Sequence, residues 1–212
     1  MEKSDLGVEP DEVLFWCCQS LYKYLPQYDI VYPRIAKLAK HCKFVFIASP
    51  LSDGISKVFG QRLRDAFAQC RLNYEDYCIF VPFMDAESFM GTTAIADVFL
   101  DSIGWNGCNS SLEAIAYDVP IVTLPVSTMR GRHSIAHLEM MGLEELIASS
   151  LDEYVERAVE LARDPAYRRQ IAAKIAANKH KLYRDPAPIR ALEDLIVASV
   201  RAGQRSSLAV PA

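Results

Sequence analysis

The stretch DVFLDSIGWNGCNSSLEAIAYDVPIVTLP, Asp97 to Pro125, decides the fold. Asp97–Ile103 is an apolar, strand-favouring run, a loop with Gly and Asn follows, Asn109-Ser110-Ser111 open a helical pattern, and Pro120–Pro125 is a second short apolar run. Strand, loop, helix and strand in so short a span make a unit in which two parallel strands are joined by a crossover helix. Small residues in the loop let a ligand approach the backbone, and the first amides of a helix point outward without intrahelical partners. With the helix dipole, those amides form an anion site suited to a diphosphate. The hydroxyls of Ser110 and Ser111 and the amide of Asn109 would add donors. Glu113, one turn later, would accept from the two hydroxyls of a ribose. An ordinary helix cap at Asn109 or Ser110 explains the same residues, because Asn and Ser are favoured there in any case. Neither a GxGxxG nor a GxxxxGK[ST] pattern is present, which weakens a dinucleotide reading and removes a P-loop one.

The same alternation extends in both directions. Upstream, Val13–Cys18, Lys43–Ala48 and Tyr77–Pro82 read as buried strands, with helices over Tyr28–Cys42, Asp53–Cys70 and Asp85–Ile95. Downstream, a helix near Arg132–Met141 precedes a sixth strand at Leu143–Ser149, and Asp152–Arg201 is helical with a break at Asp185-Pro186-Ala187-Pro188. Nearly continuous apolar strands separated by helices predict an α/β fold: a Rossmann-like, doubly wound parallel sheet with a helical C-terminal tail. One domain over residues 11–205 is expected, between frayed tails at Met1–Pro10 and Ser206–Ala212.

Composition agrees with one sizeable core. The chain has 212 residues, 51% of them hydrophobic and 24% charged, and its mean hydropathy of +0.05 argues against disorder. A net charge of -4 provides no global basic field, so neither nucleic acid nor an anionic membrane is an expected partner. The opening MEKSDLGVEPDE is acidic and polar rather than an apolar leader, and no run of about eighteen apolar residues occurs, so a cytoplasmic protein is expected. The six cysteines form no CxxC pair and read as reduced thiols, not as a zinc site or a disulfide framework.

Asp97–Pro125 also resembles the diphosphate loop of the protein O-GlcNAc transferase family (SPINDLY-like), which reads Asp, a few residues, Asn-Gly-His-Thr-Thr, and an Asp before a helix. Asn106-Gly107 match, Cys108 stands for the His, Asn109 and Ser110 for the two Thr, and Glu113 for the Asp. PIVTLP matches as well, and the similarity continues through MRGRHSIAHLEMMGLEELIA (Met129–Ala148) and DEYVERAVELARDPAYRRQI. Upstream, CCQSLYKYLP resembles the family's first loop, where a Gln and a Lys hold the phosphates; Lys23 matches the Lys, while the Gln position falls on Ser20 with Gln19 one residue earlier. The resemblance spans about Val13 to Arg201. It implies one lobe of a GT-B glycosyltransferase that uses UDP-GlcNAc or another UDP-sugar, with inversion, without a metal and without a cofactor. It also implies an amino-terminal Rossmann lobe and tetratricopeptide repeats in the parent protein, so the chain is expected to be a piece of a longer protein or one that has lost its first lobe.

A metal-free mechanism suits the residues, since no DxD motif is present to hold a divalent ion. Lys23 is the main candidate cation, against a solvated surface lysine as the plain alternative. Arg130, Arg132 and His133 form a second cationic group after the fifth strand, where arginines suit phosphate or sugar and salt bridges explain them equally well. His133 and His137 are one helical turn apart but lack a nearby third ligand, and His41 and His180 read as solvated. Trp105 is either a stacking surface or rim packing. The resemblance places the base at FMDAE, Phe83–Glu87, by position only, and Asp101 is expected to orient its loop rather than touch substrate. Two other functions compete: a lobe that grips a nucleotide sugar without transferring it, with Cys108 as its motive, and an unrelated Rossmann-like domain that binds a partner.

Overall fold

A computed structural model describes residues 1–207 of the chain, with side chains to residue 202. Two compact units are present, Met1–Lys179 and His180–Ala212.

The first unit is built on five strands: β1 (Val13–Cys17), β2 (Cys42–Ile47), β3 (Cys78–Val81), β4 (Val98–Leu100) and β5 (Ile121–Val122). All neighbouring pairs are parallel, in the order β3-β2-β1-β4-β5. Every residue of β1 is buried, as expected of a central strand covered on both faces. Its Phe15 stacks on Phe44 of β2 with ring centroids 5.2 Å apart. Phe46 in turn packs on Tyr32, Phe59 and Phe80.

Helices α1 (Val31–Ala39), α2 (Asp53–Gln69), α3 (Ala86–Ile95), α4 (Asn109–Ala116) and α5 (His133–Met141) alternate with the strands, and α6 (Leu151–Arg163) and α7 (Pro165–Asn178) close the unit. The chain runs β1, β2, β3 toward one edge of the sheet. It then returns through α3 to place β4 on the other side of β1. Strand order therefore reverses between β1 and β4, where a doubly wound sheet opens a crevice at the strands' carboxyl ends.

Three expectations change. Leu143–Ser149 is not a strand. Gly142 ends α5 in the left-handed conformation at φ 71°, and Glu144–Leu146 then forms a 3-10 turn. Its apolar Leu143, Leu146 and Ala148 are buried from that turn, and pairing with the sheet is limited to a bridge between Ile147 and Thr123. The segment Met1–Pro10 is not frayed: Lys3–Leu6 forms a turn, Leu6 and Val8 are buried, and Lys3 Nζ lies 2.6 Å from Asp97 Oδ2. The long C-terminal helix has a further break at Asp164, whose carboxylate caps the amides of Ala166 and Tyr167 ahead of Pro165 in the first turn of α7.

The second unit is α8 (Ala187–Ser207), started by the Asp185 carboxylate accepting from the amide of Ala187 at 2.9 Å. The expected tail at Ser206–Ala212 begins in this helix, and residues 208–212 lie outside the described residues. Among the described residues no helix is long and apolar enough to cross a membrane.

Candidate functional site

The two strands flanking the reversal each deliver one loop to the crevice. After β1 the chain passes through Cys18, Gln19 and Ser20 into a 3-10 turn at Leu21–Lys23. The buried Tyr24 fixes this loop from below: its ring stacks on Phe59, and its phenol oxygen accepts from the Gln19 amide at 3.1 Å. The Gln19 side chain is buried and bonded at both ends. Its Oε1 accepts from Lys23 Nζ at 2.8 Å, and its Nε2 donates to Ser110 Oγ at the start of α4. Ser20 is exposed and takes no part in that bridge.

The loop after β4 is held by buried polar groups. Asp101 is fully buried: Oδ1 accepts from the Gly107 amide at 2.7 Å, Oδ2 from Thr123 Oγ1 at 2.8 Å, and its backbone carbonyl from the Tyr154 hydroxyl at 2.9 Å. Burial pushes its acid up to about 6, against the opposite pull of hydrogen bonds from Ser134, Gly107, Thr123 and Ser102. Asn106, also buried, donates from its backbone N–H to the Arg130 carbonyl at 2.8 Å and from Nδ2 to the Ser102 carbonyl at 3.1 Å, while Oδ1 is buried with no partner among the described residues. At Gly107 the side chains of Ser110 and Ser111 close over the backbone, so a larger residue would have to displace them. A Cβ there would stand 2.5 Å from Ser111 Oγ and 2.7 Å from Ser110 Oγ. Ser111 Oγ meets Ser134 Oγ at 2.8 Å, joining α4 to α5.

Asn109 and Ser110 are the first two residues of α4, not its cap. The cap is Cys108, which is exposed and makes no side-chain cap bond. The positive end of the helix is thus not closed by the residue that usually closes it.

A cationic group stands beside this loop. Lys23 Nζ lies 5.7 Å and the Arg130 guanidinium 4.6 Å from the centroid of the Trp105 ring, and Tyr22 meets the same ring edge-on at 5.8 Å. Arg132 is exposed at the start of α5 with His133 next to it. The contacts among the described residues tie neither of them to Lys23, Gln19 or Trp105. Nδ1 of His137 is buried without a partner among the described residues, and burial, then His133, lowers the ring's affinity for a proton. Among the described residues, no group of three or more His, Cys, Asp or Glu side chains could hold a metal ion.

A cavity of about 530 Å³ opens next to these loops. Residues 18–22 form one wall, residues 47–51 at the end of β2 and Phe83–Ala86 after β3 form others, and Phe89, Met90 and Glu113 complete it. Glu113 of α4 and Gln19 therefore belong both to the cavity and to the polar loops, whereas Lys23, Asn106–Ser111 and Arg130 stand outside its walls. Burial pushes the Cys18 thiol well above its usual range, helped by Asp101 and Glu113. Sequence reasoning did not single out Ala48–Leu51, Phe89 or Met90; the loop after β2 was findable from the rule that ligands gather at the carboxyl ends of strands. Gln19 and Ser20 were not separable until the turn at Leu21–Lys23 fixed which one faces Lys23.

Comparison with known proteins gives a consistent result. Residues 4–184 match the family model described as Glycosyl transferase family 41. The chain is 25% identical over 179 residues to the protein of Arabidopsis thaliana named "Probable UDP-N-acetylglucosamine-peptide N-acetylglucosaminyltransferase SEC", covering 84% of this chain and 18% of that protein. It is 27% identical over 153 residues to the like-named SPINDLY protein of Solanum lycopersicum, covering 72% and 16%. Among solved structures, a mutant O-GlcNAc transferase of Thermobaculum terrenum gives a TM-score of 0.79 at 26% identity, over 95% of this chain and 39% of that one. Anabaena Alr3699/HepE in complex with UDP shares the fold, at TM-score 0.64 and 16% identity, over 93% and 51%. The chain thus spans a minor part of the length of the plant relatives it matches.

Proposed function

This chain belongs to glycosyl transferase family 41, and from that premise we propose that it is the nucleotide-sugar-binding lobe of a GT-B glycosyltransferase using UDP-GlcNAc or a related UDP-sugar. The observation that carries the reading is the bridge across the switch point. Lys23, Gln19 and Ser110 are hydrogen-bonded in series, so a cation, an amide donor and the open end of α4 converge on one place.

In this reading the donor diphosphate lies against the first amides of α4 and the Ser110 hydroxyl, while Ser111, fully buried and bonded to Ser134, holds the helix in place rather than touching the ligand. Lys23 offsets the charge that grows on UDP as the sugar leaves. Groups already in position cost no reorganisation at the moment of reaction, which is usually the largest catalytic contribution. The ribose hydroxyls donate to Glu113, and the base enters the cavity beside Phe83–Ala86. Arg130 supplements Lys23, with Arg132 and His133 on the sugar side. Transfer without a divalent ion and with inversion at the sugar carbon is part of the proposal. So are an acceptor held by a second Rossmann lobe, tetratricopeptide repeats in the parent protein, and a cytoplasmic setting, which the free cysteines support.

One observation favours a second reading, in which the lobe binds a nucleotide sugar or a partner without transferring. Cys108 places a thiol where the family has an imidazole, and that thiol makes no cap bond. Thermal unfolding with UDP tests what both share. UDP at about a hundred times its dissociation constant stabilises a binding protein by roughly 2.7 kcal/mol, and an unshifted transition at millimolar UDP would rule out nucleotide binding. Sugar transfer by the full-length parent, abolished by Lys23→Ala, then distinguishes the enzyme from the inert lobe.

A further inference from the structure

We infer that Trp105 is a positioning residue that holds Lys23 and Arg130 together as a paired cation for the donor diphosphate; the inference rests on the nucleotide-binding reading above. Three side chains converge on its ring: Lys23 at 5.7 Å, Arg130 at 4.6 Å and Tyr22 at 5.8 Å. Two like charges brought to one place repel, and an aromatic face offsets part of that repulsion because its electron-rich surface attracts both. Neither cation is within ion-pair distance of a carboxylate among the described residues, so the ring, with Gln19 for Lys23, is what keeps them in place.

The backbone is shaped to present this ring. Ser102 Oγ donates to the Trp105 carbonyl at 2.6 Å, and Asn106 Nδ2 donates back to the Ser102 carbonyl at 3.1 Å, closing a tight turn. Gly104 takes φ +93°, and a Cβ there would come within 2.6 Å of Leu25 Cδ1. The Asn106 amide fastens the Arg130 carbonyl at 2.8 Å, and at Gly131 a Cβ would stand 3.3 Å from the Gly104 carbonyl oxygen. The loop bearing Arg130 is therefore packed backbone to backbone against the turn bearing Trp105. From Trp105 the line runs through Lys23 and Gln19 to Ser110 at the open end of α4. Rim packing alone would account for a half-buried tryptophan; it does not account for two cations without carboxylate partners gathered on one ring.

The test measures UDP and uridine affinities by calorimetry for the wild type, Trp105→Leu and Trp105→Phe, with thermal unfolding confirming that each variant folds. Trp105→Leu is expected to weaken UDP about tenfold and leave uridine within about twofold, while Trp105→Phe, which keeps an aromatic face, recovers most of the loss. The chain has two tryptophans, and the other, Trp16, is fully buried with Nε1 bonded to Thr93, so Trp105 emission is a separate signal. UDP, but not uridine, should change that emission, and the change should vanish in Trp105→Phe. Equal losses for UDP and uridine, or no loss for UDP in Trp105→Leu, would overturn the inference and leave nucleotide binding intact. A wild type that binds no UDP would remove the functional reading and this inference with it.

Discussion

On the β4 side of the site, Asp101, Asn106 and Ser111 are buried and hydrogen-bonded in place, whereas on the β2 and β3 side Leu51 and Phe83 stand 77% and 67% exposed around the cavity. On the reading proposed above, the first region is a hydrogen-bonded frame for charge. Its groups are set before a ligand arrives, so they lose little freedom on binding. The second is an apolar rim on two loops, whose side chains give up water and rotamer freedom only when something covers them. A nucleotide has the same division, with a fixed charge at one end and a flat, largely apolar base at the other. The difference between the regions therefore predicts that damage to the first is selective for phosphate and damage to the second is not.

The largest effect belongs to the frame itself. Asp101 is fully buried and its acid lies at about 6, above the ordinary 3.8, so folding favours the protonated form. Its contribution to stability is present in full below the unfolded value and is lost as pH rises through about 6. That shift amounts to about 3 kcal/mol at roughly 1.4 kcal/mol per unit. Asp101→Asn is neutral throughout and lacks this slope. Denaturant titrations should show the wild type losing about 3 kcal/mol relative to the variant between about pH 3 and 7. Parallel profiles would mean that the carboxylate is not held in the dry frame described.

Next is the cation. Lys23→Ala should weaken UDP by about ten- to a hundredfold, the loss of one charge-assisted contact at roughly 1.5–3 kcal/mol, and leave uridine unchanged. Equal losses would move Lys23 from the charged side of the comparison to general folding. On the apolar side, Phe83→Ala should cost UDP and uridine alike, by roughly 1 kcal/mol of lost ring contact. Calorimetry with both ligands reads this as a constant affinity ratio. A loss confined to UDP would put Phe83 on the phosphate side.

The same division explains what was legible in the sequence. The frame lies within one short segment, Asp97–Pro125, where an apolar strand, a Gly-Asn loop and a helix start follow one another, so strand, loop and helix were readable from local chemistry. The rim is assembled from loops far apart in the chain, and nothing local marks Leu51 or Met90 as neighbours of Glu113. Burial of Leu6 and Val8 was hidden for the same reason: the acidic, polar opening reads as a tail until Lys3 is seen to pair with Asp97, 94 positions on. At Leu143–Ser149 the apolar content was read correctly and its period was not. Leu143 and Leu146 are three apart, and Gly142 commits the chain to a turn before a strand can form. Asn109 and Ser110 were ambiguous between cap and helix in sequence, and the cap falls on Cys108.

Glu113 is where the two regions meet, because it lies one turn into α4 and also lines the cavity. If charge frame and apolar rim make one nucleotide site, a ribose bridges them at this residue. The decisive measurement is a double cycle of Glu113→Gln against the wild type, with UDP and 2′-deoxy-UDP as ligands, by calorimetry. A shared hydrogen bond predicts that the substitution weakens UDP but affects 2′-deoxy-UDP much less, with a coupling of about 0.5–1.5 kcal/mol. Strictly additive losses, with UDP binding spared in Glu113→Gln, would show that the ribose does not pass between α4 and the cavity, and that the two regions do not serve one ligand.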